Sequence, residues 1–304
     1  MNGLDCNYFQ IQHETNFSYE FPISRATMLL HLEPLSDVHQ QVLNFDIEIE
    51  PVANPVLVVD SFGNRCHLLD IQSINRSSLC ITSKAEVMIQ NSIATLNAFD
   101  QSSWEKLNQF VDRIQYWDFL SPSKRVYDCP QLKKFMAESD IQALDNPYVS
   151  LKAAAKIINQ SLRYEPGSTE VNSRMEDCLE QRSGVCQDYT HILLAIGRKW
   201  GIPSRYVSGY LHLYPEDGQI ITDGVSHAWC EFFLPDLGWI GIDATHNLVT
   251  DNRYIRVSVG RDYDDIAPTK GVVYGGGKSS LCVNISLAHS SNENSDWLLQ
   301  GAQQ

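Results

Sequence analysis

The chain has 304 residues, of which 43% are hydrophobic and 20% charged, with a formal charge of −14. That length and composition support two globular domains and exclude general disorder. The acidic balance disfavours nucleic acid or an anionic membrane as a main partner.

The opening stretch "MNGLDCNYFQIQHETNF" lacks the basic and apolar regions of a secretory signal, and no run of about 18 apolar residues predicts a membrane span. Eight scattered cysteines at 6, 66, 80, 129, 178, 186, 230 and 282 read as reduced thiols, so the sequence predicts a cytoplasmic protein. No CxxC pair occurs, which argues against a structural zinc site.

From 7 to 90 the pattern is strand-like. In "NFDIEIEPV", Phe45, Ile47 and Ile49 alternate with Asp46, Glu48 and Glu50. "YFQIQHETNFSYEF", "ATMLLHLEPL", "PVLVVD", "NRCHLLDIQ" and "SLCITSKAEVMI" read as further strands, with "DSFGNR" as a turn. The expectation is a β-sandwich-like N-terminal domain over 1–92.

Helical spacing then appears in "SSWEKLNQFVDRIQYWDFL" and "CPQLKKFMAES". In "DNPYVSLKAAAKIINQSLRYEPG", Asn146 is placed to cap a helix and Pro147 suits its first position. "SGVCQDYTHILLAIGRKWGIP" predicts a helix over about 184–200 with Ser183 as N-cap. "SRYVSGYLHLY", "SHAWCEFFL", "GWIGIDAT" and "KSSLCVNISLAH" follow as strands. The order predicts an α+β core over 93–290, with 291–304 as a tail. "GVVYGGGKSS" does not fit a phosphate loop, because five residues separate Gly271 from Gly277 and a strand pattern follows. Clustered carboxylates of a Ca²⁺ loop are not evident, and "YDD" at 263–265 is too short.

Cys186 falls in the first turn of its predicted helix. A free thiol titrates at about 8.5, but a helix N-terminus favours a thiolate and offers N–H groups to an oxyanion. Gly184 is expected to keep the approach to the thiol open. A nucleophile needs a base, and the base needs an orienting partner. His191 lies about 140° round the helix from Cys186 and suits a core or surface role. His13, His31, His39 and His67 have no chemical companions nearby in sequence, and His212 and His289 sit on predicted strands. His227 has a partner set by strand parity. Pairing Leu234 with Gly238 puts Trp229 opposite Asp243 and leaves His227 diagonal to Asp243 on the same face, within reach of its carboxylate. Asp243 would orient His227, and His227 would take the thiol proton. Asp188 is expected to make a structural hydrogen bond. Trp229 would pack beside His227 or wall the cleft, and Tyr263 in "GRDYDD" would shape the cleft or sit in a solvated turn.

"EPGSTEVNSRMEDCLEQRSGVCQDYTHILLAIGRKWGIPSRYVSGYL", "SHAWCEFFLPDLGWIGIDATHN" and "VSVGRDYDDIAPTKGVVYGGG" resemble the bacterial transglutaminase-like family, whose members are often described as cysteine proteases. "QIQHETNFSYEFPISRATMLLHLEP" and "VVDSFGNRCHLLDI" resemble the N-terminal domain of the same proteins. The resemblance spans roughly 7–287. It implies a papain-like core with Cys186 as nucleophile, His227 as base and Asp243 as orienting acid, and neither metal nor other cofactor is expected. Ala244 and Cys230 depart from the family, which commonly has proline and an aliphatic residue there. The expected activity is thiol-dependent acyl transfer on a peptide or protein substrate, with hydrolysis favoured. Transfer to an amine co-substrate and a non-catalytic binding module are the alternatives.

Overall fold

A computed structural model describes residues 6–90, 103–111, 113–168, 173–212, 225–235 and 237–290. Two antiparallel sheets organise the chain. The first is built on two long strands, β1 (Cys6–Leu30) and β4 (Arg65–Gln90), flanked by β2 (Gln40–Glu50) and β3 (Val56–Val59). The sequence divides β1 and β4 into two strands each; the structure runs each one through. Their shared register shifts between Ser18 and Ile23, and Ser73 and Asn75 of β4 adopt positive φ there. The chain bends at that point without leaving the ladder, so local pattern alone reads an end. The bend folds the sheet on itself. Leu79, Ile81 and Ile49 from one half share a core with Ile23, Met28, Leu30, Leu69 and Ile71 from the other. The region is thus strand-rich and sandwich-like, but one hydrogen-bonded sheet supplies both layers.

Short helices α1 (Trp104–Phe110), α2 (Trp117–Leu120) and α3 (Pro130–Glu138) lead into α4 (Pro147–Ser161). Asn146 caps α4 by accepting from the Val149 N–H at 3.1 Å, with Pro147 at its first position. After β5 (Arg163–Tyr164) come α5 (Met175–Gln181), β6 (Ser183–Gly184) and α6 (Cys186–Lys199). The second sheet runs β10-β9-β8-β7-β11. It comprises β7 (Ser204–Leu211), β8 (Val225–Leu234), β9 (Gly238–Asp243), β10 (Leu248–Val249) and β11 (Tyr254–Gly260). Buried Ile192, Leu193, Leu194 and Ile196 of α6 join Phe232 and Leu234 of β8 and Leu151 and Ile158 of α4 in the main core. Burial of such side chains contributes roughly 1.5–3 kcal/mol each, and it sets α6 against the sheet.

α7 (Tyr263–Ile266) precedes β12 (Thr269–Gly275) and β13 (Ser279–Ser290). A core running to 290 is corrected at its C-terminal end, because β12 and β13 both pair with β1 in the first sheet. Alternation predicts the last strand correctly but carries no information about which sheet receives it. The two sheets meet through Phe9, Ile11, Val87 and Leu287 packed on Tyr210, Ile255 and Val257. No helix among the described residues is long and apolar enough to cross a membrane, and all eight cysteines are free.

Asn64, in the turn before β4, also locks the two sheets together. Its Nδ2 donates to the Val259 carbonyl and its Oδ1 accepts from the Val259 N–H, both at 2.8 Å and buried. Asn64→Ala orphans two buried backbone groups at about 1–3 kcal/mol each, so urea unfolding is expected to show a loss of about 2–4 kcal/mol.

Candidate active site

α6 begins at Cys186, with Val185 as N-cap rather than Ser183, which instead pairs in β6 with Arg163. Cys186 is therefore the first helical residue and partly exposed. Asp188, 1% exposed, accepts from the Val185 N–H at 2.8 Å and holds the strand-to-helix turn. Gly184 has a different task from the one expected. A Cβ there would sit 2.8 Å from Asp188 Oδ2 and 2.8 Å from Cys178 Sγ. The missing side chain makes room for the interior, not for an approach to the thiol.

β8 and β9 pair from Leu234↔Gly238 to Cys230↔Ile242. In that register His227 Nε2 and Asp243 Oδ2 meet at 2.8 Å. A carboxylate only accepts, so Nε2 carries a proton and Nδ1 is left for the thiol. His227 also lies within electrostatic reach of Cys186. The structure thus brings together Cys186, His227 and Asp243 from α6, β8 and β9.

Asp243 is fully buried and saturated with donors. Oδ2 accepts from His227, from His246 Nδ1 at 2.8 Å and from the Tyr254 hydroxyl at 2.9 Å. Oδ1 accepts from the backbone N–H of Thr245 at 2.8 Å and of His246 at 3.3 Å. Burial opposes its charge, yet the hydrogen bonds and charges of His227 and His246 hold its carboxyl well below the usual carboxylate range. Burial likewise opposes a charged His227. Its hydrogen bond to Asp243, and the charges of Asp243 and Cys186, outweigh this and raise it to about 9.

His246 and Tyr254 escape a reading of the sequence. His246 stands three residues after Asp243 in "GIDATHN", and that proximity was the available signal. Tyr254 comes from β11, beyond any local pattern. Asn159 of α4 steadies the same turn by donating to the Thr245 carbonyl at 2.7 Å.

Trp229 is 1% exposed, stacked near His227 (ring centroids 6.1 Å apart) and edge-on to Tyr254 at 5.2 Å. It backs the histidine. Tyr263 lies within electrostatic reach of Cys186, beneath the Arg125 guanidinium. Its backbone N–H donates to His191 Nε2 at 3.3 Å, so His191 anchors α7 from the core. Burial first, then the Arg125 and Arg198 charges, push His191 down to about 3, consistent with that acceptor role. The charges of "GRDYDD" are paired rather than merely solvated: Asp265 holds Arg261, and Asp264 holds Lys124 and Arg125. Tyr164, half exposed on β5 opposite Gly184, also feels the Cys186 charge and was not singled out by the sequence. Cys230 is buried and donates to the Thr190 carbonyl at 3.3 Å, tying β8 to α6.

A model of the bacterial transglutaminase-like N-terminal region matches residues 9–88, and a transglutaminase-like superfamily model matches 135–244. The chain belongs to the transglutaminase-like superfamily. Within this superfamily, an uncharacterised Mycobacterium leprae protein is 31% identical over 91% of this chain and 97% of its own length. A Pseudomonas aeruginosa protein named protein-glutamine gamma-glutamyltransferase is 22% identical over 69% of this chain and 31% of its own length. A solved structure of a candidate cysteine protease from Cytophaga hutchinsonii superposes with a TM-score of 0.72, covering 96% of this chain and 92% of that one at 23% identity. The transglutaminase-like family supports thiol-dependent acyl transfer as the class of chemistry.

His227 holds its proton more tightly in the folded chain than in the unfolded one. The pairing therefore contributes full stability below about pH 6.5, and the contribution is lost as pH rises through about 9. Urea unfolding across that range is expected to show stability falling with pH, and Asp243→Asn to flatten the fall. Gly184→Ala is expected to cost about 1–3 kcal/mol through overpacking and to slow alkylation of Cys186, measured by thermal unfolding and iodoacetamide labelling.

Proposed function

We propose that the protein hydrolyses peptide or amide bonds through an acyl-thioester on Cys186. The observation that carries this reading is His227 held between the Cys186 thiol and the fully buried Asp243. His227 takes the thiol proton, and Sγ attacks the substrate carbonyl. The oxyanion is received at the start of α6, where first-turn N–H groups lack helical partners. The C–N bond breaks and the amine leaves with the proton from His227. Water then attacks the thioester, gives a proton to His227, and releases the acid with the thiol restored. Asp243 keeps Nε2 protonated throughout, which reserves Nδ1 for proton exchange with the thiol and the water.

Transfer to an amine differs only in the second step, with an amine in place of water. The 22% likeness to a protein-glutamine gamma-glutamyltransferase favours keeping this second reading. Water needs no dedicated acceptor site, so hydrolysis is the default outcome of the same thioester. Tyr164 and Tyr263, both within reach of the Cys186 charge, are proposed to flank the scissile bond.

The test incubates wild type and Cys186→Ala with a library of peptides and primary amines and reads products by mass spectrometry. Cys186-dependent free acids are expected, at a level at least about 10³-fold above the variant, since loss of the nucleophile removes the covalent route. Amine adducts would replace hydrolysis with transfer. An absence of any Cys186-dependent product would leave a binding module on this fold. Iodoacetamide is also expected to label Cys186 faster than exposed Cys282 at mildly acidic pH, and equal rates would contradict an activated thiol.

A further inference from the structure

Far from Cys186 in sequence, a second group of side chains with reactive donors gathers where the first sheet meets the core, with His31 and Cys66 buried and Asp60 partly exposed. His31 follows β1, Asp60 opens the turn before β4, and Cys66 lies at the start of β4. One donor atom from each lies within 4.8 Å of the others. His31 is 2% exposed and Cys66 fully buried. Sequence spacing gave no hint of this, because 28 residues separate His31 from Asp60 and no CxxC pair is involved.

The hydrogen bonds decide what the group lacks. His31 Nδ1 lies 3.0 Å from the Ala267 carbonyl, which can only accept, so Nδ1 carries the ring proton. In the neutral ring Nε2 then presents a lone pair. That atom is buried and has no hydrogen-bond partner. It faces Asp60 Oδ2 at 3.8 Å, another acceptor and too far for a hydrogen bond. Cys66 Sγ completes the triangle, its thiol donating to the Asn64 carbonyl at 3.5 Å. A buried, unmet lone pair on His31 Nε2 that faces a carboxylate oxygen, beside a thiol, calls for a cation.

We propose that His31 Nε2, Asp60 Oδ2 and Cys66 Sγ form a site for a divalent transition metal of the zinc class. Nitrogen, carboxylate and thiolate donors are the set such ions take, at about 2.0–2.3 Å from the metal. Tetrahedral bonds of that length need donor separations of about 3.3–3.6 Å, so no side of the triangle closes by more than about 1.5 Å. The Ala267 carbonyl on Nδ1 is the outer contact that orients a metal-bound histidine. Asp60 Oδ1 accepts from the N–H groups of Phe62 and Asn64, both at 2.9 Å, and Oδ2 accepts from Asn64 Nδ2 at 2.7 Å, which fixes the carboxylate and leaves a second lone pair of Oδ2 for the ion. Coordination converts the Cys66 thiol to a thiolate and releases its proton to solvent. The fourth position falls to a water or a backbone carbonyl. Because Asn64 and Ala267 tie the same spot to β11 and to the segment leading into β12, the ion would clamp the sheet to the core.

Cobalt(II) reports on this directly, through thiolate-to-cobalt absorption. The experiment uses the full chain carrying Cys186→Ala. His227, Asp243 and His246 form a second group of possible ligands, and removing the nearby thiol keeps it silent in that band. After treatment with a chelator, titration with cobalt is expected to give one equivalent bound, a thiolate charge-transfer band and release of one proton. Adding Cys66→Ser is expected to abolish the band and raise the dissociation constant at least tenfold, with circular dichroism verifying the fold. X-ray absorption of the cobalt-loaded Cys186→Ala protein gives an answer that needs no change at Cys66, with one sulfur neighbour expected. A cobalt shell of nitrogen and oxygen alone, or a band that survives Cys66→Ser, would overturn the proposal.

Discussion

The carboxylate of Asp243 is the constraint on which the candidate active site depends. A buried carboxylate is costly unless its lone pairs are met. Here five donors meet them, from His227, His246, Tyr254 and two backbone N–H groups. The arrangement has a directional consequence. By accepting from Nε2 of His227, Asp243 makes Nδ1 the acceptor nitrogen of the ring. The tautomer, the raised affinity of His227 for a proton and the position of the ring follow from one acid that cannot leave its place.

The surroundings hold that geometry by close packing rather than by further charges. Trp229 backs His227, and Tyr254 both packs on Trp229 and donates to Asp243. On the helix side, the missing side chain of Gly184 lets Asp188 reach the Val185 N–H, which fixes the point where α6 begins. Gly197 performs a comparable role further along α6. A Cβ there would lie 2.5 Å from the Phe232 ring, so helix and sheet come closer than any larger residue permits. Thiol and imidazole sit on different elements; the Gly184 contact fixes where the helix of the thiol begins, and the Gly197 contact sets how close that helix comes to the strand of the imidazole.

The first sheet is bound into the same body. Its long strands bend and pack on themselves, its free face covers β7 and β11, and the chain returns from the core to complete it with β12 and β13. Asn64 and His31 reach across to backbone groups of the core. The N-terminal region is therefore not an appended module. Its last two strands, β12 and β13, come from the chain after it has traversed the core.

Much of this was legible in the residues themselves. The alternation of β2, the cap and proline that begin α4, and the pairing of Leu234 with Gly238 are local matters, governed by side-chain period and turn length. The last of these was enough to place His227 beside Asp243. Other features were not available to any local reading. The continuity of β1 and β4 depends on a bend that keeps its ladder. The destination of β12 and β13 depends on which edge is free. His246 and Tyr254 on Asp243, and His31, Asp60 and Cys66 about one point, are contacts between segments whose separation along the chain carries no periodic signal. Sequence determined which elements form and which faces they bury, because those are set by neighbours along the chain. Tertiary structure alone decided which donors share a carboxylate and which buried lone pair is left unmet, because those are set by neighbours in space.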